Sequence, residues 1–582
     1  MAALKIENLI TDHLDLWTAA VRPKSSAGRG SNSKLELNGI KKLRELILEL
    51  AVRGKLVPQD PNDEPASVLL ERIAAEKARL VIDGKIKKPK AMPEIGEEEK
   101  PFELPDGWEW RRLPDICDYS PGKTPSTKNP IYWGDLDIDT PWVSISDMQH
   151  CGIVNLTSKK ITTRAVDDVF KRGPTPAGTI LMSFKLTVGK ISYLGFDAYH
   201  NEAILSIYPF NGISKEFLFH FLPSIALRGN TKNAIMGNTL NAESLSMLQI
   251  PIPPEDEQHR IVAKVDELMA LCDQLEQRSE SQLAAHQTLV ETLLATLTDS
   301  CDADELAQNW ARLSTHFDTL FTTEASIDAL KQTILQLAVM GKLVPQDPSD
   351  EPASTLLARI AAEKAQLVKE RKIKKEKPLP AISEEEKPFE LPKGWEWVRL
   401  GNIGVCSTGK TPSTGNSALY DGEIPFVGPG QITPYGELLA AEKYLSDVGL
   451  ELSSEANAGD ILMVCIGGSI GKATICDRQI GFNQQINSIR PILCDSYFLL
   501  AAMTTKAFTN ILLERATGSA TPIINRSKWE EIPIPMSPYQ EQLRIITRVN
   551  VLMTLCDQLK SSLQTSQQTQ LALAEALVEQ AL

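Results

Sequence analysis

GKLVPQDPNDEPAS stands at residues 54–67, and GKLVPQDPSDEPAS returns at 341–354, 287 positions later. Around these two strings, 54–113 and 341–400 agree without gaps at 46 of 60 positions. A period this long is far beyond that of a solenoid repeat. The sequence therefore predicts a duplicated pair of domains.

The similarity between the two copies is concentrated at their ends. It reaches GKTPST, at 122–127 and 409–414, and then fades through the middle of each copy. It becomes strong again in LMALCDQL at 268–275 and LMTLCDQL at 552–559. Matched ends around unlike middles favour one scaffold that carries two different recognition modules. Drift of the two middles without a separate purpose stays open as the alternative.

The closing segment of each copy has the periodicity of a long helix. Its apolar residues advance by four and three positions alternately, which places them on one helical stripe. The stripes are Ile261, Val265, Leu268, Cys272 and Leu275 in the first copy, and Ile545, Val549, Leu552, Cys556 and Leu559 in the second. Such stripes are typical of helices paired in a coiled coil. Partner helices are predicted at 40–52 and 327–339.

The middles contain β-branched and apolar runs broken by glycine, as in ILMSFKLTVGKISYLGF and ILMVCIGGSIGKATI. Short strands joined by turns have this pattern. The expected fold class is therefore α+β, with two mixed α/β domains separated by long helices and an internal repeat. The expected domains are a helical region with a linker at 1–100, a mixed domain at 101–254, a central helical region at 255–387, a second mixed domain at 388–537 and a last helix at 538–582.

The first 38 residues take the place that 299–325 takes before the second copy. This correspondence predicts a nearly circular layout in which the two ends of the sequence lie close together. SSAGRGSNS, at 25–33, is expected to be a flexible linker.

The composition is that of an ordinary globular protein, with 42% hydrophobic and 23% charged residues. No apolar run approaches the roughly 20 residues of a membrane span, and the charged N-terminus does not resemble a signal peptide. Nine cysteines without a C-x-x-C pair argue against a disulfide framework or a structural zinc site. We expect a cytoplasmic protein without membrane contact or bound metal.

The net charge of −14 removes the simplest argument for nucleic-acid binding, which would be a basic chain. The acidity is uneven, however. Residues 104–253 hold 14 basic and 14 acidic side chains, and 391–535 hold 11 basic and 14 acidic ones. The middles are thus less acidic than the helical parts, which permits local contact with DNA.

Catalytic motifs are missing from the sequence. IGGSIGKAT, at 466–474, has Ile466 where a phosphate loop needs its first glycine, and Ala473 where it needs Ser or Thr. We therefore interpret Gly471 and Lys472 as a strand turn with a surface lysine. No nucleophile elbow, zinc-protease helix or amino-methyltransferase string is present. The chain is expected to catalyse no reaction and to have no catalytic residues.

GKTPST recurs in both copies and contains the groups that bind phosphate: hydroxyls, a lysine and glycine-exposed amides. A simple tight turn explains the same residues equally well. The segments that follow differ, and we expect Ser146, Asp147 and Gln149 in the first copy, and Gln431 and Thr433 in the second, to face base edges. The paired tryptophans Trp108, Trp110, Trp395 and Trp397 are expected to be core anchors.

The arrangement resembles the specificity subunit of type I restriction-modification systems. The resemblance rests on W-x-W-x-x-L, GKTPST, GTILM or GDILM before Gly-Lys, and IPIPP or IPIPMSP before a long helix. These motifs occur twice in the same order and cover nearly the whole chain. The charged segments 71–100 and 358–387 depart from the pattern, and their role does not follow from the sequence.

The resemblance implies a non-catalytic subunit of a host-defence complex. Two target recognition domains would each read one half of an asymmetric, split DNA site, and an antiparallel coiled coil would set the spacer. The implied partners are double-stranded DNA, two modification subunits that methylate adenine N6, and restriction subunits. S-adenosylmethionine, ATP and Mg would be bound by those partners and not by this chain.

Carried over by position, the elements of that family that face DNA fall on Gly122–Thr127 with 142–149, and on Gly409–Thr414 with 426–433. The predicted DNA-contacting residues of the loops are Gly122, Lys123, Thr124, Ser126 and Thr127, and Gly409, Lys410, Thr411, Ser413 and Thr414. Lys190 and Lys472 are weaker candidates for contact with the DNA backbone.

Two other functions remain to be compared with this one. The first is a coiled-coil scaffold whose α/β modules bind protein, which the net charge favours and the paired loops disfavour. The second is a methyltransferase or nuclease, for which a catalytic motif is lacking.

Overall fold

The computed structural model describes residues 6–23, 35–86, 92–134, 140–228, 232–234, 237–434, 436–518 and 521–582. The linker expected at 25–33 lies outside these ranges. The described residues form two compact units, one of 6–23, 35–279 and 568–582, and one of 280–567. Within the described ranges, no helix has the length and apolar composition that a bilayer span requires.

Helices occupy both ends of each copy, as the periodicity predicts. The helices are α1 (Ile6–Thr11), α2 (Leu14–Ala19), α3 (Asn38–Val52), α4 (Ala66–Ile82), α5 (Leu113–Ile116), α6 (Thr163–Val169), α7 (Lys215–Arg228), α8 (Ala242–Ser246), α9 (Glu255–Asp299), α10 (Ala303–Thr315), α11 (Phe317–Leu320), α12 (Glu324–Val339), α13 (Ala353–Lys369), α14 (Asp447–Leu452), α15 (Ser496–Met503), α16 (Lys506–Arg515), α17 (Arg526–Glu530) and α18 (Tyr539–Ala581).

Strands are short and lie mostly in the two middles. They are β1 (Arg22–Pro23), β2 (Leu35–Glu36), β3 (Glu109–Arg112), β4 (Cys117–Pro121), β5 (Thr140–Val143), β6 (Gly152–Val154), β7 (Lys159–Ile161), β8 (Ile180–Ser183), β9 (Lys185–Leu186), β10 (Ile191–Leu194), β11 (Tyr199–His200), β12 (Ile204–Pro209), β13 (Lys232–Ala234), β14 (Gly237–Thr239), β15 (Gln249–Ile252), β16 (Glu396–Arg399), β17 (Gly404–Thr408), β18 (Ile424–Val427), β19 (Lys443–Leu445), β20 (Ser454–Ala456), β21 (Ile461–Val464), β22 (Ala473–Ile475), β23 (Ile480–Phe482), β24 (Ile486–Pro491) and β25 (Pro533–Met536).

The two middles are mixed α/β domains built on the same plan. The first has a sheet in the order β4-β12-β8-β10-β6 and a smaller one in the order β11-β5-β7; the second has β17-β24-β21-β22 and β19-β18-β23-β20. In each domain the central strand, β8 or β21, is buried along its whole length. A short antiparallel pair closes each domain, β3 with β15 and β16 with β25.

Two tryptophans anchor the long helices to these closing strands. Trp108 is buried, and its indole N–H donates to Glu257 in the first turn of α9 (3.0 Å). Trp395 makes the same bond to Glu541 in α18 (3.0 Å). Trp110 is also buried and Trp397 is half-buried, so the predicted role of these residues as core anchors is confirmed.

The predicted stripes are the packed faces of the two long helices. Ile261, Val265, Leu268, Cys272 and Leu275 are buried on α9; on α18, Ile545, Val549 and Cys556 are buried and Leu552 and Leu559 are half-buried. In the second unit, one core joins the C-terminal part of α9 to the N-terminal part of α18 and to α12. Opposite ends therefore meet, and the fold class with its antiparallel coiled coil is confirmed.

The described parts of the charged segments 71–100 and 358–387 are packed on their own recognition domains. Helix α13 contributes Leu356 and Ile360 to the core of the second domain. The returning chain is held by Arg399, only 3% exposed, which donates to the carbonyls of Pro380 and Ala381 and to Glu386. Arg112 in the first domain has the corresponding contacts, to the Pro93 carbonyl and to Glu99.

Residues 568–582 belong to the same unit as residues 6–23. The ammonium group of Lys55 donates to the backbone carbonyl of Leu582. Lys342, its counterpart in the second copy, donates to the carbonyls of Thr298 and Ser300 at the end of α9. The same lysine of each copy thus bonds to the chain at the end of a long helix, α18 for the first copy and α9 for the second. Equivalent bonds of this kind agree with the predicted circular layout.

Candidate nucleic-acid interface

Each GKTPST loop leaves the end of a strand, β4 or β17, with the same backbone hydrogen bonds. In the first domain, the N–H of Gly122 donates to the carbonyl of Ile204 (3.1 Å), and that of Lys123 donates to His200 (2.9 Å). The corresponding bonds of the second domain run from Gly409 to Ile486 (2.9 Å) and from Lys410 to Phe482 (3.0 Å). The sequence identity of the loops is therefore matched by identical anchoring.

The first glycine of each loop is required by a close backbone approach. A Cβ atom on Gly122 would lie 1.9 Å from the carbonyl oxygen of His200, and one on Gly409 would lie 1.9 Å from that of Asn483. Backbone atoms in or directly after a paired strand cannot withdraw from such a contact as a flexible side chain can. These glycines therefore shape the turn, as the simpler interpretation of the motif holds.

Side chains fix the middle of each loop. The hydroxyl of Thr124 donates to Glu202, and the hydroxyl of Thr411 donates to Gln484. The indole N–H of Trp142 donates to the carbonyl of Lys123 (3.0 Å). Beyond these anchors the loops present exposed hydroxyl side chains, namely Ser126 and Thr127 in the first domain and Ser413 and Thr414 in the second.

The predicted lysines differ in how they are held. Lys123 is exposed, but its ammonium group donates to the carbonyl of Val169 at the end of α6 (2.9 Å). Lys190 is half-buried and donates to the carbonyl of Ile145 (3.0 Å), which joins it to the segment at 142–149. Lys410 is exposed and Lys472 is half-buried. Contact of these lysines with a phosphate stays a prediction.

In the segment at 142–149, Asp147 faces its own loop. Its carboxylate accepts the N–H of Ser144 (2.8 Å) and the N–H of Ser158 (3.0 Å). Burial opposes ionisation of Asp147, but these hydrogen bonds lower its pKa overall. Ser146 and Gln149 are exposed beside it. Asp147 therefore shapes the loop that presents the other two side chains.

The second domain uses its corresponding residues in the same way. The side-chain oxygen of Gln431 accepts the N–H of Gly428 (3.0 Å), and the hydroxyl of Thr433 accepts the N–H of Glu437 (3.0 Å). Both residues are half-buried. Their oxygens hold the turn, and the amide N–H groups of Gln431 are the donors that it can offer to a base.

Sequence reasoning missed His200, which lies directly under the first loop. It is 4% exposed, and burial lowers its pKa to about 4. The position in the second domain that makes the same bond to the loop is Phe482. A signal was available, because both residues precede the matched strings SIYP and SIRP by the same spacing.

The interface thus offers hydroxyls, amides and a few lysines on fixed loops. Among the described residues, no group of three or more His, Cys, Asp or Glu side chains could hold a metal ion. Such a surface is suited to hydrogen bonding with a polar polymer and differs between the two domains.

Comparison with known proteins gives one consistent match. A family model described as the type I restriction modification DNA specificity domain matches residues 105–285 and again 392–566. Each matched range contains one GKTPST loop and its flanking segment. The predicted resemblance is therefore confirmed over more than half of the chain.

Relatives match over the full length. The chain is 43% identical over 609 residues to the type I restriction enzyme EcoAI specificity subunit of Escherichia coli, and 44% identical over 604 residues to the EcoEI specificity subunit of the same species. Both alignments cover 100% of this chain and 100% of the relative.

Solved structures show weaker similarity. The HsdS subunit from Thermoanaerobacter tengcongensis matches at 18% identity and a TM-score of 0.38, covering 83% of this chain and 98% of that one. A chain from a type I R-M system, solved in a study of complex assembly and conformational transition, matches at 18% identity and a TM-score of 0.46, covering 83% and 99%.

Proposed function

This chain belongs to the family of type I restriction-modification specificity subunits, and on that premise we propose that it reads a split, asymmetric DNA target. It is a non-catalytic subunit that recognises DNA. In the proposal, the domain around the first GKTPST loop reads one half of the target and the domain around the second loop reads the other. The paired helices α9 and α18 set the length of the spacer.

The observation that carries this proposal is the pair of loops. Gly122 and Gly409 are anchored by equivalent backbone bonds, so both loops can grip a sugar-phosphate backbone in the same manner. The groups beside them differ, with Ser146 and Gln149 exposed in the first domain and Gln431 half-buried in the second. Two loops that hold the DNA backbone in the same way, beside side chains that differ, are what two different half-sites require.

The partners and cofactors belong to the same proposal. Two modification subunits would dock on the helices at 255–297 and 539–582, with 40–53 and 327–340, and restriction subunits would join them. S-adenosylmethionine, ATP and Mg would be held by those subunits, because this chain has no motif for any of them. The complex would act in the cytoplasm, where DNA is accessible and the nine free cysteines stay reduced.

The first experiment is co-expression of the chain with the modification subunit encoded beside it, followed by mapping of adenine methylation across the host genome. The expected result is a new split motif, unlike in its two halves and absent without this chain. No new methylation, from a modification subunit shown to be present and soluble, would contradict the proposal and favour the protein-binding scaffold.

The phosphate role of the loops has its own test. Lys123→Ala and Lys410→Ala are each expected to weaken binding to every DNA sequence and to lower the slope of log affinity against log salt by about one. Binding is measured on the assembled complex across a salt series. Unchanged affinity and slope in both variants would show that the lysines do not contact phosphate.

A further inference from the structure

Leu186 is the last residue of β9, at the start of the turn that leads to Gly189, and has an unusual backbone. Its φ angle is +67°, and the N–H of Thr187 donates to the carbonyl of Lys185 across it (2.8 Å). This is a three-residue γ-turn of the uncommon kind with a positive central φ. Such a conformation is strained for a leucine, whose Cβ is crowded there.

The surrounding structure holds this strained turn firmly. On one side, β9 pairs with β14, with Leu186 opposite Asn238. On the other side, the N–H of Gly189 donates to the carbonyl of Ser183 (2.9 Å), and the hydroxyl of Ser183 donates to the carbonyl of Thr187. Strain that is fixed from both sides in this way is a property of functional sites more often than of surface loops.

The second domain shows that the fold does not need a leucine here. The corresponding turn is one residue longer and contains Gly467, whose φ is +99°, a conformation that glycine adopts without strain. The match follows from equivalent hydrogen bonds: Gly471 to Val464 (2.9 Å) corresponds to Gly189 to Ser183. The side chain of Leu186 is 49% exposed, so it also contributes little to packing.

The turn lies at the same end of the sheet as the first GKTPST loop. The N–H of Phe184 donates to the carbonyl of Ala203 (3.0 Å), next to Glu202, which accepts the hydroxyl of Thr124. Lys190, on the far side of the turn, donates to the carbonyl of Ile145 in the flanking segment. Leu186 is therefore an exposed apolar side chain among polar segments that are candidates for DNA contact.

We propose that Leu186 is a specificity-determining residue of the first recognition domain, and that it contacts the 5-methyl group of a thymine in the first half of the target. The methyl group of thymine is the apolar group that base pairs display in the major groove, and an apolar side chain is what recognises it. This inference rests on the proposed function. It also predicts a difference between the domains, because Gly467 can make no such contact.

The test uses the complex of the full chain with its modification subunit. The first probe is a duplex with the target sequence that methylation mapping identifies. The other probes are the same duplex with one thymidine of the first half at a time replaced by deoxyuridine, which lacks the 5-methyl group. Leu186→Asn keeps a residue that tolerates positive φ but removes the apolar group. We expect it to bind the thymidine duplex about tenfold more weakly than the wild type, as expected for one lost base contact.

The decisive result is the coupling between protein and DNA. At one thymidine of the first half, replacement by deoxyuridine should weaken binding of the wild type about tenfold. The same replacement should not weaken the binding of Leu186→Asn any further. Equal binding of wild type and variant, or independent losses at every thymine, would overturn the proposal.

Two controls separate this result from other causes. Gly467→Asn, the same residue at the matching turn, should leave the deoxyuridine response of the first half unchanged. Leu186→Asn should melt no lower than the wild type, because it removes a strained residue. A wild-type complex that binds all sequences equally would contradict the proposed function itself. A wild-type complex that is sequence-specific, but whose binding Leu186→Asn leaves unchanged, would contradict this inference alone.

Discussion

Single residues under the recognition loops differ in ways that affect stability. His200 is buried and its pKa is lowered to about 4, whereas an unfolded chain would give it the ordinary value near 6.5. Below pH 6.5 the unfolded state therefore binds a proton that the folded state does not. The stability that neutral His200 contributes is present above this pH and is lost as the pH falls toward 4.

This difference gives a prediction for the first domain alone. His200→Phe, which installs the residue of the second domain, should reduce the loss of stability of the first domain between pH 7 and pH 5. Hydrogen exchange of the full chain, followed separately in the two domains, measures it. Phe482→His is the matched variant and should give the second domain the same pH dependence. An equal pH response of wild type and His200→Phe would contradict the assignment.

The loop glycines give a second prediction at this scale. Gly409→Ala forces a Cβ against the carbonyl of Asn483, so it should displace the loop, lower the melting temperature and weaken DNA binding about tenfold or more. Gly415→Ala, directly after the loop, is the control, since its Cβ would meet nothing closer than Ser413 at 3.9 Å. Thermal unfolding and binding of both variants are measured together. Equal effects of the two substitutions would show that the close approach is unimportant.

The loops could be predicted from the sequence because their motif occurs in both copies. Other residues of the site do not recur and were not predicted. GKTPST occurs twice, so chance was a poor explanation for it. His200 and Glu202 have unlike counterparts, Phe482 and Gln484, and they reach the loop only through strand pairing distant in sequence. Whether Asp147 turns inward also depends on Ser158, a partner that local pattern does not indicate.

At the scale of elements, the helix pairs of the two copies share one ion pair and differ in another. In the first copy, Arg44 on α3 bonds to Asp273 (2.7 Å) and Glu276 (2.8 Å) on α9. In the second copy, the position of Glu276 is Lys560, which bonds to Asp328 on α12 (3.0 Å). Lys331, the counterpart of Arg44, bonds to Asp557, so the long helix contributes an acid to this pair in both copies, and its charge is inverted at the position of Glu276 and Lys560.

Reversing one of these charges should weaken the second helix pair. Lys560→Glu would face Asp328 and Glu324, and we expect it to lower the free energy of unfolding by about 1–2 kcal/mol because Lys560 is largely buried. Asp328→Lys in the same chain should restore part of the loss. A double-mutant cycle by chemical denaturation measures the coupling, with Lys560→Met as the uncharged control. Additive effects would show that the pair does not interact.

The helices were predictable because a 3.6-residue period directly reports one packed face. The charged segments were not. Their exposed residues have no apolar period after α4 and α13, and they are fixed by buried arginines, Arg112 and Arg399, that bond to backbone carbonyls. Every residue type has a backbone carbonyl, so the sequence does not show which residues accept these hydrogen bonds.

At the scale of the whole molecule, two separate recognition domains should be exchangeable one at a time. Replacing 128–245 by the matching segment of another specificity subunit should change the first half of the methylated motif and leave the second half and the spacer. The reason is that the second domain has its own core, its own loop and its own closing strands. Mapping of adenine methylation reads the outcome. A change in both halves would contradict the assignment of one half-site to each domain.

The charge that is inverted between Glu276 and Lys560 also bears on inheritance. The similar stretches at 54–113 and 341–400, which agree at 46 of 60 positions, would allow unequal crossing-over between their coding sequences, which would delete the segment between them. The shortened product would keep α3 and lose all of α9, so with α18 packed on α3, Arg44 would keep an acid at Asp557 but would meet Lys560 where Glu276 now stands. The single inverted position would therefore make that helix pair less stable than either pair of the present protein.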